Sequence, residues 1–321
     1  MIQLKDIVKT DRIIRTSPDE VLSRAISKMR TSHDAVFVFD DKNNFLGVIN
    51  PYYCLIKSSY PGNSKVRHCL YHTPKIRIDY SVGKVAGLFI ESKIHYLPVF
   101  NKNDEFLGII SARHLLKFYL GSSLFTVPVS DVLKMKNKGL ITIYEDDTIK
   151  TAIETFRKTK VSKLVILNKD LKLKGVLSYY DLISYLVSPR SSAHRGEREG
   201  NHVSFLHLKV KKFAKTYILT LKPNDLTSKA LELILDKKIG SVIIVDDEKH
   251  PIGIITTKDF LRILWKTANG SKAQAFNKDF NQNSRQVLGG FFKGLNFITS
   301  YLSMASRGAK RRSDLSMNEI A

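Results

Sequence analysis

The sequence predicts an α/β (α+β) fold made of four successive β-α-β-β-α units, because one pattern recurs four times along its 321 residues. Each copy opens with a short β-rich piece that leads into an amphipathic helix. The four openings are residues 14–25, 75–86, 141–152 and 219–230. An alanine of each helix precedes a strand-opening glycine by 22 or 23 residues, in the pairs Ala25 and Gly47, Ala86 and Gly108, Ala152 and Gly175, and Ala230 and Gly253. This regular spacing indicates repetition of one folding unit.

The elements of each unit follow in a fixed order. Helix-start signals stand at Ser17-Pro18-Asp19 and Pro223-Asn224-Asp225. After the helix comes an apolar strand, at residues 35–40, 96–101, 163–168 and 241–246. A polar turn and a glycine-led strand come next, and segments such as 112–120 and 258–265 have the pattern of a closing helix. The unit is therefore predicted to be β-α-β-β-α.

The units are expected to form two pairs, because a unit of about 60 residues exposes a sheet face that it cannot cover alone. The first pair spans residues 1–128, with repeats at 1–57 and 65–120. The second pair spans residues 129–266, with repeats at 129–188 and 207–266. Between these last two repeats lies a polar stretch typical of a mobile loop.

Residues 267–321 form a basic C-terminal tail. Helical spacing within 287–305 places one apolar face on Leu288, Phe291, Phe292, Leu295, Ile298 and Leu302. Lys293, Asn296 and three glycines disfavour a membrane span. The predicted amphipathic helix can dock on the protein's own body, on a partner or on a membrane surface. A cationic cluster follows, made of Arg307, Lys310, Arg311 and Arg312.

The repeat pattern resembles the cystathionine-β-synthase (CBS) domain family over residues 1 to 266. The resemblance rests on the β-α-β-β-α order and on a closing motif G-h-h-[ST]-x-x-D, where h is apolar. Repeat three has the complete motif from Gly175 through Ser178 to Asp181, and repeat four has it from Gly253 through Thr256 to Asp259. In this family the motif binds adenine nucleotides. The resemblance therefore implies AMP, ADP or ATP as a regulatory ligand of the second pair, with no metal.

The residue types of the motif suit that ligand. A carboxylate at Asp181 or Asp259 can accept hydrogen bonds from both ribose hydroxyls, while a hydroxyl and backbone N–H groups at a helix start can hold phosphate. Further nucleotide contacts are implied by the resemblance at Thr142, Thr220 and Lys258. The structural alternative is that both aspartates only cap their helices, with Ser178 and Thr256 opening them.

The first pair departs from the motif. Asn50 and Tyr53 occupy the hydroxyl and aspartate positions in repeat one, and Ser111 and His114 occupy them in repeat two. Tyrosine and histidine do not offer a carboxylate for ribose. We therefore expect the first pair to act as a scaffold or docking surface.

The charge indicates a polyanionic partner, because 52 basic and 30 acidic residues leave a net charge of +22. A basic stretch around Phe213 contains Lys209, Lys211, Lys212 and Lys215. Together with the cationic cluster of the tail, these lysines are predicted to contact RNA or the ribosome. An anionic membrane surface and a merely solvated lysine-rich surface are the alternatives.

No catalytic motif is present, and the chain is predicted not to be an enzyme. Two cysteines and the lack of a signal peptide favour the cytoplasm. The resulting hypothesis is a nucleotide-gated, energy-sensing factor that docks on RNA or the ribosome, resembling four-repeat CBS proteins of the archaeal ribosome-associated type, which act in translation inactivation or hibernation. The alternative is a regulatory subunit of an enzyme such as a kinase complex, or a regulator of a membrane transporter. Whether two chains associate stays open.

Overall fold

The computed structural model describes residues 3–29, 34–136, 139–187 and 205–269. The predicted tail helix and the tail cations Arg307, Lys310, Arg311 and Arg312 lie outside the described residues. The strands are β1 Arg15–Thr16, β2 Val36–Phe39, β3 Phe45–Ile49, β4 Ile76–Arg77, β5 Tyr96–Phe100, β6 Phe106–Ser111, β7 Thr142–Tyr144, β8 Lys163–Leu167, β9 Leu173–Ser178, β10 Thr220–Leu221, β11 Ser241–Val245 and β12 Pro251–Thr256. The α-helices are α1 Leu22–Ser27, α2 Val82–Ser92, α3 Ala112–Lys117, α4 Val129–Lys134, α5 Ile149–Thr159, α6 Ile183–Leu186, α7 Thr227–Asp236 and α8 Thr257–Asn269.

The described strands form four three-stranded sheets, one for each repeat. Within each sheet, the strands lie side by side in the order in which they occur along the chain. In every sheet the first strand pairs with the second in parallel, and the second pairs with the third antiparallel. A parallel neighbour requires a crossover connection, and the first helix of each repeat provides it. The predicted β-α-β-β-α repeat is therefore confirmed.

The hairpin between the second and third strands has the same geometry in each repeat. The register shifts at one equivalent place, immediately after the residue opposite the conserved glycine. Four residues before that glycine, the turn places one residue at positive φ: Asn43, Asp104, Leu171 and Lys249. Hairpins with loops of three to five residues commonly contain such a left-handed position. The common geometry explains why the glycine spacing recurs so regularly.

The chain exchanges short segments between the two repeats of a pair. We call the residues that run from the preceding helical turn to each first strand a crossing segment. Lys9, ahead of repeat one, forms a backbone bridge with Ile109 of repeat two, and Tyr71, ahead of repeat two, forms one with Val48 of repeat one. In the second pair, Lys215 bridges in the same way to Val176 of repeat three. The third strands of repeats one, two and three are thus each extended by a segment that lies before the first strand of the other repeat in the pair.

The exchange explains the glycine that is the third residue of the third strand in repeats one and two. A Cβ at Gly108 would lie 2.4 Å from the carbonyl oxygen of Lys9, and one at Gly47 would lie 3.1 Å from that of Tyr71. At Gly108 only glycine permits the crossing backbone to approach this closely. The recurring glycine is therefore a packing requirement of the first pair.

Apolar contacts join the two sheets within each pair. Between repeats one and two, ring pairs with centroids 5.0 to 6.4 Å apart link Phe37, Phe39, Phe45, Phe100 and Phe106. Between repeats three and four, the buried residues Val165 and Leu167 pack with Ile243 and Val245. The two predicted pairs are therefore confirmed.

The pairs also contact each other. Tyr52 of repeat one lies against Tyr179 of repeat three, with ring centroids 5.7 Å apart. Trp265 of repeat four lies against Gly87 of repeat two, where a Cβ would be 3.0 Å from the indole. No helix in the described part of the chain is long and apolar enough to cross a membrane.

Candidate functional site

In repeat three, the motif residues lie where β9 ends and a 3₁₀ turn over Tyr179–Leu182 begins. The Ser178 hydroxyl accepts a hydrogen bond from the Tyr180 N–H at 3.3 Å and donates one to the Ser162 carbonyl at 3.1 Å. Asp181 Oδ2 accepts one from the Ser178 N–H at 2.8 Å. Asp181 Oδ1 forms an ion pair with Lys215 Nζ at 3.0 Å. One carboxylate oxygen therefore caps the helix start, and the other faces the crossing segment.

Repeat four has the same arrangement at the junction of β12 and α8. Asp259 Oδ2 accepts hydrogen bonds from the backbone N–H and the hydroxyl of Thr256, both at 2.8 Å. The same oxygen lies 2.7 Å from Lys136 Nζ, and Oδ1 lies 3.3 Å from Arg262. Lys136 also donates to the carbonyl of Ile254. A lysine of a crossing segment thus again pairs with the motif carboxylate.

The capping and ligand interpretations of the two aspartates are compatible. A capping carboxylate needs one oxygen for the backbone donors at the helix start. Asp181 and Asp259 both use Oδ2 for this purpose. The capping bonds also fix the direction of the carboxylate, and so they preorganise it for any further partner.

The other predicted nucleotide contacts lie nearby in register. Thr142 and Thr220 are the exposed first residues of β7 and β10, opposite Val165 and Ile243 respectively. Along β8, the partner of Thr142 lies two residues after the partner of Ser178. Along β11, the partner of Thr220 lies two residues after the partner of Thr256. Lys258 is half-buried and immediately precedes Asp259.

A cleft of about 310 Å³ opens at the turn ends of the two sheets rather than at the motif carboxylates. Thr220 lines it together with Asn168, Lys172, Leu173, Lys174, Val245 and Lys249. Neither Asp181 nor Asp259 is among its lining residues. The predicted contacts therefore fall into two groups, one at the helix starts and one that includes Thr220 near the turns.

The basic stretch predicted to contact RNA mostly makes contacts within the protein. Lys211 Nζ lies 2.9 Å from Asp146 Oδ1, and Lys209 donates to the carbonyl of Asp146. Lys215 pairs with Asp181, while Lys212 is exposed. The stretch thus belongs in part to the nucleotide motif of repeat three.

A cluster of positive charge around Asp181 was not predicted from the sequence. Burial lowers the pKa of Lys163 to about 8; the charge of Asp181 opposes this shift, and those of Lys215 and Arg113 add to it. Arg113 comes from repeat two and donates to the carbonyl of Lys238 at 3.2 Å, while its Nε is buried without a hydrogen-bond partner. Lys163 stands opposite Ser178 in the sheet. Lys163 is therefore close to one carboxylate and to two further cations from other repeats.

In repeat one, aromatic rings take the place of this ion pair. Tyr53 stacks on Tyr71 of the crossing segment, with ring centroids 3.7 Å apart and planes 13° apart. The Tyr53 hydroxyl donates to the Ser92 carbonyl at 2.9 Å, and burial raises the pKa of Tyr53. Asn50 is buried and donates to the carbonyl of Asp34 at 2.7 Å. Side chains therefore fill the position that the carboxylate has in the second pair.

In repeat two, His114 takes the aspartate position and Lys9 belongs to the crossing segment. Burial lowers the pKa of His114, and the charges of Lys9 and Lys117 lower it further, against a hydrogen bond with the Ile7 backbone. Ser111 accepts the His114 N–H at 3.1 Å, as the capping role requires. An imidazole kept neutral beside a lysine offers no anion for ribose hydroxyls.

One group of metal-ligand types lies in the hairpin turn of repeat four. Asp246, Glu248 and His250 place ligand atoms within 4.8 Å of one another. His250 already binds Asp246 through its backbone N–H at 2.7 Å and its ring at 3.2 Å. These contacts are those of a closed turn.

Similar proteins include several with repeats of the same kind. The uncharacterized protein MJ1225 of Methanocaldococcus jannaschii is 28% identical over 131 residues, which are 40% of this chain and 47% of that protein. The human 5'-AMP-activated protein kinase subunit gamma-3 is 24% identical over 192 residues, 57% of this chain and 38% of that subunit. The chain thus spans less than half the length of these two relatives.

Solved structures show the same fold over most of the chain. The crystal structure of MJ1225, described as a candidate archaeal homologue of g-AMPK, superposes with a TM-score of 0.68 at 19% identity, covering 81% of this chain and 99% of that one. A conserved protein from Pyrococcus horikoshii superposes with a TM-score of 0.56 at 14% identity, covering 82% and 100%. At these identities the likeness is one of fold.

The family model for the CBS domain matches four stretches of the sequence, residues 4–55, 71–121, 129–188 and 210–266. Together they cover more than half of the chain, and each contains one of the four sheets. With four matched repeats in two pairs, the chain belongs to the CBS domain family.

Proposed function

We propose that this chain is a non-catalytic regulatory protein that binds an adenine nucleotide, AMP, ADP or ATP, through repeats three and four. One observation carries the proposal: in both repeats the motif aspartate is fixed at the mouth of the closing helix and faces a lysine of the crossing segment. The carboxylate can accept hydrogen bonds from two ribose hydroxyls. A lysine close to a helix start can meet a phosphate. The pair therefore matches both ends of a nucleoside phosphate.

The surroundings of Asp181 add to the phosphate-binding character of repeat three. Lys215 and Lys163 contribute amines, and Arg113 contributes a guanidinium whose Nε lacks a partner. Burial is the main cause of the lowered pKa of Lys163, and the charges of Lys215 and Arg113 add to it. A bound phosphate would bring negative charge to these cations and oppose their repulsion.

The regulatory part of the proposal rests on the relatives. The human relative is a subunit of a kinase that is named as activated by 5'-AMP. A regulatory subunit of a protein enzyme is therefore one form that the function can take. In this form, nucleotide binding to the second pair changes the affinity of the chain for its partner.

Isothermal titration calorimetry with AMP, ADP, ATP and S-adenosylmethionine tests the proposal. We expect binding of at least one adenine nucleotide by the wild type. In the double variant Asp181→Asn and Asp259→Asn, we expect affinity to fall at least about tenfold, because hydrogen bonds to a charged acceptor contribute about 1.5–3 kcal/mol each.

Asp104→Asn is the matched control. It makes the same change at an exposed aspartate that pairs with Lys75 at 3.1 Å outside the clefts. This variant should bind like the wild type. If no nucleotide binds the wild type, or if the double variant binds as tightly, the proposal is wrong.

An RNA or ribosome partner is the second candidate, and it rests on the net charge of +22. We propose this docking through Lys209, Lys211, Lys212 and Lys215 together with the tail cations. Sedimentation with ribosomes at increasing salt tests it, because phosphate contacts weaken steeply as salt rises. No co-sedimentation at low salt, or co-sedimentation unaffected by salt, contradicts this partner.

A further inference from the structure

The two motif aspartates of the second pair differ mainly in the exposure of their lysine partners. The Asp181 side chain is 12% exposed and its partner Lys215 is 73% exposed. The Asp259 side chain is 4% exposed and its partner Lys136 is 16% exposed. An exposed ion pair contributes little to stability and exchanges readily with water or ligands, whereas a buried one is costly to break. The two sites are therefore unequal although their motifs are equally complete.

The carboxylate of Asp259 is also more fully occupied. Oδ2 takes the Lys136 amine in addition to two Thr256 donors, and Oδ1 takes Arg262. Asp181 Oδ1 has the exposed Lys215 as its ion-pair partner. Ribose hydroxyls donate hydrogen bonds to the same oxygens, so they compete directly with these groups. At Asp259 the principal competitor is a buried cation.

Helix α4, which lies just before Lys136, also contacts repeat four. The Leu133 side chain presses on Gly253, where a Cβ would lie 2.4 Å from a Leu133 methyl carbon. Leu133 belongs to the last turn of α4, and Lys136 follows two residues after that helix ends. The start of α4 is held by backbone bonds from Val129 to Asp225 at 2.9 Å and from Ser130 to Pro223 at 3.0 Å. Release of Lys136 from Asp259 would therefore move the end of α4 rather than its start.

We propose that Lys136 is an internal competitor for the ribose carboxylate of repeat four. A nucleotide then fills repeat three first, and it fills repeat four only when it displaces Lys136 and the last turn of α4. This inference rests on the proposed nucleotide function and assigns its regulation. Binding at repeat four therefore costs the Lys136–Asp259 ion pair.

Calorimetry with AMP on single-site variants tests the order of filling. Asp259→Asn leaves the repeat-three site intact, and Asp181→Asn leaves the repeat-four site intact. We expect AMP to bind Asp181→Asn at least about tenfold more weakly than Asp259→Asn. Adding Lys136→Met to Asp181→Asn should restore at least about tenfold in affinity, because the buried competitor is gone.

Lys134→Met, added to Asp181→Asn, is the matched control. It should leave AMP affinity unchanged, because Lys134 is exposed and pairs with Asp131 rather than with Asp259. Equal affinity of the two single-site variants, or no gain from Lys136→Met while Asp259→Asn still binds, overturns this inference alone. Absence of AMP binding by Asp259→Asn and by the Lys136→Met variant alike overturns the proposed function as well.

Amine labelling followed by mass spectrometry tests the same inference on the unmodified chain. Lys136 should label several times more slowly than the neighbouring Lys134, whose side chain is 76% exposed. Saturating AMP should raise the Lys136 rate severalfold and leave that of Lys134 unchanged. A Lys136 rate that does not change, at AMP concentrations that fill both sites, contradicts displacement.

Discussion

The first and second pairs share one backbone plan and differ in what occupies the same position. In repeat one, Tyr53 and Tyr71 stack where repeat three has Asp181 and Lys215. The aromatic pair completes a packed interface from the chain itself, whereas an ion pair near the surface can exchange partners. The comparison teaches that the fold provides four equivalent positions, and that the side chains decide which of them hold packed rings and which hold an ion pair.

The largest expected effect concerns the buried ion pair of the second pair. Lys136→Met should lower the free energy of unfolding by about 3 kcal/mol at pH 7, because it removes the less exposed of the two cations that pair with the buried Asp259. Chemical denaturation measures the change. Lys215→Met, the exposed counterpart, should cost less than about 1 kcal/mol. Equal losses in the two variants would show that burial does not separate the two sites.

A second test concerns the exchanged backbone of the first pair. Gly108→Ala should cost about 2–3 kcal/mol, because its Cβ would meet the Lys9 carbonyl oxygen at 2.4 Å, and backbone yields less easily than a side chain. Thermal unfolding provides the measurement. Gly139→Ala, which has open space around it, is the control. Gly253→Ala should cost less than Gly108→Ala, since it meets the Leu133 side chain.

The aromatic pair of repeat one offers the third test. Tyr53→Ala should lower stability by about 2 kcal/mol, through loss of buried ring area and of the stack on Tyr71. AMP binding measured by calorimetry should not change, because the second pair carries the sites. Tyr144→Ala, at an exposed tyrosine, is the control for stability. A change in AMP stoichiometry would give repeat one a binding role and break the comparison.

The smallest effect concerns the charge cluster of repeat three, and here the sign is opposite. Lys163 has a pKa of about 8 in the folded chain against an ordinary 10.5, so the unfolded chain binds more protons between these values. Its contribution to stability therefore rises from pH 8 to 10.5, and Lys163→Met should stabilise the protein by about 1–2 kcal/mol at pH 7.

The difference between the wild-type and Lys163→Met stability profiles isolates this effect from tyrosines and cysteines that titrate in the same range. That difference should shrink as pH rises through the window. Lys172→Met, at an exposed lysine, should leave the profile unchanged. A difference that is flat from pH 7 to 10.5 would mean that the Lys163 amine is not desolvated.

The sequence predicted the repeat, the pairing and the capping carboxylates because each has a local pattern. Glycine spacing, strand alternation and the motif lie within one unit, so Asp181 and Asp259 could be named without coordinates. Lys136 and Lys215 could not be given their partners, because each lies on a crossing segment that reaches the other repeat of its pair. Lys215 was therefore interpreted only as part of a basic stretch.

The difference between the sites at Asp181 and Asp259 could not be predicted from the sequence either. Both motifs are complete, and nothing in the residues of the motif distinguishes a carboxylate that is 4% exposed from one that is 12% exposed. The distinction comes from α4, which is not part of the motif. Similarly, Tyr53 was recognised as a departure from the motif, while its partner Tyr71 carried no signal of its own.

The exchanged crossing segments carry a consequence for how such a protein can be divided or built. A fragment that ends after one repeat would lack the crossing segment that extends its own third strand. Its own crossing segment would have no third strand to pair with. The smallest unit that keeps these pairings is accordingly two repeats with both of their crossing segments. We then expect substitutions in a crossing segment to change the ligand affinity of the other repeat in its pair.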